Sequence, residues 1–319
     1  MKGGWDKQGR IYEPRQRGWM ASHAQLPTID VHAGDRWRIY FAARDSQNRA
    51  QTTSIDVEAG NPARILAERV EPILPLGSEG AFDSAGIMPA WLVDLDGSKY
   101  LFYTGWKLSA ATPYELAIGV ASSDDEGETW RKLQDEPVLG LTESEPYTVG
   151  SPCVRRENGL WRCWYFCSTE WITAEGRMEA VYHIRYAESN DGIDWRRDGK
   201  VAIDYDAKDE AIARGSVVVD EDRYRMWYAY RKTSGFRDDP SRGYRIGYAE
   251  SPDGLDWTRM DEAARIGVST EGWDSAMIAY PYVFDHAGTR YLFYNGNGFG
   301  QSGFGYAVWT EPAAGTAPS

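Results

Sequence analysis

The chain is poor in cysteine. It has three, Cys153, Cys163 and Cys167, and a small odd number is not a disulfide framework. No metal-ligand spacing joins them to the four histidines. Basic residues are also in deficit: 35 Lys and Arg stand against 48 Asp and Glu, a formal charge of −13. A nucleic-acid surface needs a basic face, so this balance argues against one; the acidity reads as a solubility feature. Long apolar runs are missing too. No stretch approaches the roughly 18 residues of a spanning helix, and no apolar segment of signal-peptide length opens the chain. The expectation is a soluble, cytoplasmic protein without membrane insertion. Finally, no segment keeps a helical period beyond a turn or two, which excludes a helical bundle.

What the chain does hold is aromatic. Hydrophobic residues make up 42 %, and Trp, Tyr and Phe alone 13 %, with 14 Trp and 20 Tyr. That is ample for a large core. Such rings suit pleated strands and also clefts that stack on sugars.

The aromatic residues recur with a period. Short runs centred on Tyr40, Phe102, Trp164, Trp227 and Phe293 (IYF, LFY, CWY, MWY, LFY) lie 62, 62, 63 and 66 residues apart. Upstream of each is a second run: PTIDV at 27, PAWLV at 89, PCVRR at 152, SVVVD at 216 and PYVFD at 281. A third run follows (ELAIGVAS, HIRYAES, RIGYAES, GFGYAVW), then SSDDEGETW, SNDGIDW or SPDGLDW. Asp-Gly between two strand-like runs signals a hairpin. Five units of four antiparallel strands predict an all-β, five-bladed β-propeller over residues 1–319. The blades fall at about 20–75, 83–138, 148–203, 214–266 and 277–310.

The fifth unit ends at GYAVWTEP without a fourth strand, whereas the chain opens with WDKQGRI (5–11), which matches the fourth strand of other units. The N-terminal strand is therefore expected to complete blade 5 and hide its edge. Asp125, Asp191 and Asp253 sit in the hairpin turns and are expected to bond their own turn backbones rather than do chemistry.

The approaches to the first strand of each unit converge on one mouth of a propeller, so polar groups there carry most weight. They offer His23 and Gln25, then Asp83, Glu145, Glu210 with Arg214, and Asp274 with Tyr280. Asp83, Glu145, Glu210 and Asp274 lie six or seven residues before their strands, in register. Crowded carboxylates push one another's pKa values apart, as acid–base catalysis requires. These four are the candidate catalytic residues. Candidate ligand-binding residues at the second-strand ends are Arg44, Asp45, Trp106, Trp171, Arg231, Asn295 and Asn297, with His183 opening a third strand. Arg44, Arg214 and Arg231 suggest an anionic group on the ligand. The long segments TEWITAEGRMEAVYH and KTSGFRDDPSRGYR are expected to wall the site.

With SHAQLP, FDSAGIMP, YLFYTGW, WDSAMIAYP and YLFYNGNGFG, the chain resembles over its whole length the five-bladed glycosidase clan, glycoside hydrolase families 32, 43, 62 and 68. It is similar more narrowly to bacterial proteins labelled glycosidases by analogy, which accompany polysaccharide or glycoconjugate biosynthesis genes. The resemblance implies hydrolysis of a glycosidic bond by paired carboxylates. It leaves open a transferase or phosphorylase acting on a sugar phosphate or nucleotide sugar, or a non-catalytic sugar-binding propeller. It also implies that a channel Ca²⁺ is possible, with no cofactor otherwise. Leu26 stands where families 43 and 32 carry an Asp, just before the first strand of blade 1, so their catalytic set is not carried over by position.

Overall fold

A computed structural model describes residues 3–31, 34–207, 209–220 and 222–311. The outermost residues of the expected 1–319 domain, 1–2 and 312–319, lie outside that description.

The protein is all-β. Strand β1 spans Gly4–Tyr12. The first meander is β2 (Ser22–Val31), β3 (Arg36–Arg44), β4 (Ala50–Glu58) and β5 (Asn61–Glu68). The second is β6 (Gly86–Leu95), β7 (Ser98–Lys107), β8 (Glu115–Ser123) and the short β9 (Arg131–Lys132). The third has β10 (Val149–Glu157), the long β11 (Leu160–Ala174) and β12 (Arg177–Ser189), then β13 (Trp195–Arg196) and β14 (Val201–Ile203). The fourth is β15 (Glu210–Val219), β16 (Tyr224–Lys232), β17 (Arg245–Ser251) and β18 (Thr258–Arg259). The last comprises β19 (Ala279–His286), β20 (Thr289–Asn295) and β21 (Phe304–Thr310). These strands form four hydrogen-bonded sheets. The eight-stranded sheet is the first two meanders, joined by a single parallel pairing of Ala50 with Gly86.

β1 fills the vacancy beside β21, as the WDKQGRI motif led one to expect. It pairs antiparallel, Trp5 opposite Trp309 and Tyr12 opposite Phe304. Trp5 meets Trp227 and Trp309 edge-on, with ring centroids 5.7 and 5.2 Å apart.

The first strand of each meander packs beside its counterpart in the next: β2 by β6, β6 by β10, β10 by β15, β15 by β19, and β19 by β2 again. Cross-links stitch this inner circle. The Tyr282 hydroxyl donates to the Ile29 carbonyl (3.1 Å), and Ser216 Oγ accepts from the Val283 amide (2.7 Å). Second strands are buried on both faces, which is why their sequences are unbroken apolar runs rather than alternations; Trp164, Trp227 and Tyr294 are fully enclosed. Fourth strands are wetter, and β5 is mostly exposed or half-buried.

Asp125, Asp191 and Asp253 do serve their own turns. Asp191 Oδ1 accepts the Ile193 and Asp194 amides at 2.8 Å, and Asp253 Oδ1 the Leu255 and Asp256 amides at 2.8 and 3.0 Å. Asp125 accepts from the Thr129 hydroxyl and amide (2.6 and 2.9 Å), which hold its carboxyl down at about 2. These turns also dock neighbouring meanders. The Gly254 carbonyl accepts from the Trp164 indole at 2.9 Å, and the Gly127 carbonyl from Arg38 at 3.0 Å.

Candidate functional site

The inner strands begin two to six residues earlier than the motifs suggest, because each carries a bulge. The ladder slips between Gln25 and Thr28, Pro89 and Trp91, Gly150 and Cys153, Ala213 and Ser216, and Ala279 and Tyr282. In four of the five, a non-glycine residue at the bulge takes positive φ: Leu26 (58°), Ser151 (44°), Arg214 (46°) and Tyr280 (58°). This conformation is costly for a side-chain-bearing residue and concentrates at working sites. A bulge re-aims a side chain. Leu26, Ser151 and Tyr280 line one cavity of about 310 Å³, to which all five meanders contribute.

Aromatic rings form much of that funnel: Trp106, Tyr114, Phe166, Tyr182, Phe236, Tyr244, Tyr280 and Phe299. The Trp106 and Tyr114 rings meet at 6.0 Å, and Tyr182 and Tyr244 share a hydroxyl–hydroxyl hydrogen bond. Burial raises the Tyr114, Tyr244 and Tyr280 phenols above their usual range. Arg44, Arg231 and Arg237 supply positive charge, and Glu179 is the one carboxylate lining the funnel among the described residues. Arg237 grips Glu179 through Nε and Nη2 at 2.8 and 3.1 Å. Arg44 Nε donates to Gln25 Oε1 at 3.0 Å, and Gln25 Nε2 donates to the Phe299 carbonyl at 2.7 Å.

The four acids expected at this mouth are elsewhere. They do occupy corresponding places, but none lines the funnel, and each is buried against cations. Asp83 accepts from the Tyr103 hydroxyl (3.1 Å) and pairs with Lys132 on β9 (2.6 Å). Glu145 accepts from Tyr165 (2.7 Å) and pairs with Arg197 (2.6 Å) and Arg185 (3.1 Å). Asp274 accepts from Tyr294 (3.0 Å) and pairs with Lys7 on β1 (2.6 Å). Glu210 pairs with Arg259 on β18 (2.9 Å) and Lys232 (3.3 Å), while Tyr228 of the corresponding second-strand position bonds Asp261 instead. A carboxylate taken out of water needs a counter-charge. The fourth-strand region of each of these units supplies one, so the repeat builds a clamp from its inner approach to its rim. Asp83 and Lys132 line a separate groove of about 790 Å³. The expected convergence of four carboxylates on one mouth therefore does not occur.

Of the expected ligand-binding residues, Gln25, Arg44, Trp106, Arg231 and Tyr280 line the funnel. Trp171 backs it through Tyr114, ring to ring at 5.1 Å. The others are tied into the scaffold. Asp45 accepts the Gln47 and Arg49 amides of its own turn. His23 is bonded to Ser22 (2.8 Å) and pushed down to about 4 by burial and then by Arg44. His183 sits between Asp204 and Arg185, both at 3.0 Å, and is lowered chiefly by burial. Arg214 lies among the inner strands, donating to the Pro27 carbonyl at 2.7 Å, and burial pulls it down to about 9. Asn295 joins the Leu26 amide (2.8 Å) to the Ala24 (2.6 Å) and Gly303 (3.0 Å) carbonyls, and Asn297 accepts the Ala276 and Met277 amides. Residue-level reading missed Tyr114, Phe166 and Phe299, and also Glu179, Tyr182, Phe236, Arg237 and Tyr244; of this second group, all lie within the two long segments expected to wall the site, and those segments were the available signal. Among the described residues, no group of three or more His, Cys, Asp or Glu side chains is placed to hold a metal ion. No helix is long and apolar enough to cross a membrane.

No protein-family model matches the chain. It is 40 % identical over 306 residues to the uncharacterized proteins MT1551 and Rv1502 of two Mycobacterium tuberculosis strains, covering 95 % of this chain and 98 % of theirs. Among solved structures it is similar in fold to a glycoside hydrolase (20 % identity, TM-score 0.73, covering 100 % of this chain and 95 % of that one). It is also similar to a thermostable family-43 glycoside hydrolase (15 %, 0.65, 91 % and 89 %) and to the Bombyx mori GH32 beta-fructofuranosidase BmSUC1 (13 %, 0.61, 91 % and 61 %).

Proposed function

The chain belongs to the family of these two mycobacterial proteins, and from that premise and the shared fold we propose that it is a carbohydrate-active, glycosidase-like protein. The five meanders are the blades of a single five-bladed propeller, and the axial funnel seats a sugar or glycoconjugate. The observation that carries this is the funnel's lining: rings from four blades around a few fixed polar groups, the composition a pyranose needs for stacking and oriented hydroxyl bonding. Trp106 offers a sugar-stacking face. Gln25, Glu179 and the Tyr182 hydroxyl offer directional bonds to hydroxyl groups. If a glycosidic bond is cleaved here, Glu179, ion-paired with Arg237, is the group we assign as the ionised carboxylate of the pair, base or nucleophile.

A second reading, binding without turnover, is favoured by one observation. Carboxylate-pair hydrolysis needs two acids flanking the bond, and among the described residues only Glu179 lines the funnel. Asp83, Glu145, Glu210 and Asp274 are assigned to blade clamping in either case.

Both readings meet in one experiment on the purified protein. A glycan array measures binding, and chromatography of the same glycans measures released sugar. Binding with product, product lost and binding kept in Glu179→Gln, establishes the enzyme. Binding with no product from any bound glycan leaves the second reading. Absence of binding across the array overturns both.

A further inference from the structure

We propose that the ligand of the funnel carries an oxyanion, a carboxylate or a phosphate, and that Arg231 is the residue that receives it. This rests on the carbohydrate reading above and narrows it to acidic sugars. Arg231 ends β16 in the funnel wall and is only 5 % exposed. Its neighbours are rings: the guanidinium lies 3.7 Å from the Phe236 centroid, 5.5 Å from Tyr244 and 5.6 Å from Tyr182. Nη1 donates to the Lys232 carbonyl at 2.9 Å and Nη2 to the Tyr182 hydroxyl at 3.3 Å. Nε, equally buried, has no hydrogen-bond partner, and no acidic side chain among the described residues pairs with the group.

A guanidinium cannot shed its proton, and an uncompensated buried charge is among the costliest features a fold can hold. Elsewhere Arg38, Arg162, Arg225, Arg259 and Arg290 all pair with acids; Arg214, enclosed among the inner strands, also lacks an acid among the described residues and leaves Nε and Nη1 without partners, but it does not line the funnel. Within the funnel, Glu179 is already taken by Arg237. Arg44 bonds Gln25 and Asn48, which are neutral, so Arg44 and Arg231 leave the funnel with positive charge unmatched by its own residues. Charge-assisted bonds to a planar guanidinium are geometrically suited to a carboxylate or phosphate. The unsatisfied Nε is the donor such a group would complete. Cation–ring contacts hold the guanidinium in place while that position is open.

The test is an array of neutral glycans beside uronic-acid and sugar-phosphate counterparts of the same skeleton, applied to the full chain and to Arg231→Met, Arg231→Lys and Arg44→Gln. The wild-type protein is expected to prefer acidic members by about 10- to 100-fold, the worth of a hydrogen bond to a charged group. The two acidic arms tell carboxylate from phosphate. Arg231→Met is expected to abolish the preference. Arg231→Lys, which keeps charge without the fork, should retain part of it. Equal wild-type binding of neutral and acidic members overturns the proposal and leaves the carbohydrate reading standing. Binding of no glycan overturns the carbohydrate reading and this proposal with it. A preference that survives in folded Arg231→Met also overturns it. Should that variant not fold, Arg231→Lys decides: an undiminished preference counts against the fork and overturns the assignment to Arg231.

Discussion

Replacing Lys7 by Met is the sharpest test of how the first strand is tied to the last meander. Lys7 lies on β1, the strand farthest in sequence from its partners. Its Nζ meets Asp274 at 2.6 Å and Ser269 Oγ at 3.0 Å. Asp274 is almost wholly enclosed and otherwise holds the Tyr294 hydroxyl at 3.0 Å. Methionine keeps the aliphatic stem and removes the charge, leaving a buried carboxylate with one neutral donor. Breaking a buried pair in this way costs about 3–5 kcal/mol. Lys7 is a quarter exposed on its side chain, so some screening remains and about 2–4 kcal/mol is the fitting range. At about 2.1 cal/mol/K of unfolding entropy per residue, the ~310 described residues give roughly 0.65 kcal/mol/K, so Tm should fall by about 3–6 °C. Calorimetry should show one transition, shifted whole, because β1 is paired along its length with β21 rather than forming a separate flap. The double variant Lys7→Met/Asp274→Asn should recover most of the loss, and Asp274→Asn should bind glycan like the wild type. A Lys7→Met protein melting within a degree of wild type would refute the clamp. Loss of glycan binding in folded Asp274→Asn would return that acid to the site.

Asn295→Ala should cost about 2–4 kcal/mol, since three buried backbone groups on Leu26, Ala24 and Gly303 lose their partner; the change in denaturant midpoint at unchanged slope measures it. His23 and His183 are both depressed in the folded state, so the unfolded chain binds more protons as pH falls below the ordinary histidine range. Stability should therefore be full near neutrality and decline between about pH 6.5 and 4, and His23→Asn should flatten that decline in urea titrations. Arg231→Met should hold or raise Tm, because removing an uncompensated buried charge relieves a desolvation penalty; a fall in Tm beyond about 5 °C, roughly 3 kcal/mol, would mark Arg231 as a structural residue.

Much of the fold could be read in advance. The 62- to 66-residue spacing of second-strand aromatics survives as five meanders because those strands are buried on both faces and tolerate little else. WDKQGRI was legible as a displaced fourth strand because a sheet edge must be covered. The same regularity misdirected the search for chemistry. Asp83, Glu145, Glu210 and Asp274 stand in register, and register was the cue for a shared mouth. But a feature repeated in four units is what a structural clamp looks like, and its cations (Lys7, Lys132, Arg197, Arg259) lie far from the acids in sequence. Glu179 and Arg237, by contrast, occur once, on the long third- and fourth-unit segments where no repeat guides the eye. Leu26, Ser151 and Tyr280 reach the funnel through left-handed bulges, which a strand pattern does not announce.

The most direct measurement is a crystal structure of the protein soaked with an acidic oligosaccharide selected on the array. Ligand density is expected in the funnel, with a ring against Trp106, an oxyanion on Arg231 and a hydroxyl at Glu179. Density in the Asp83–Lys132 groove with an empty funnel would contradict the assignment of the site.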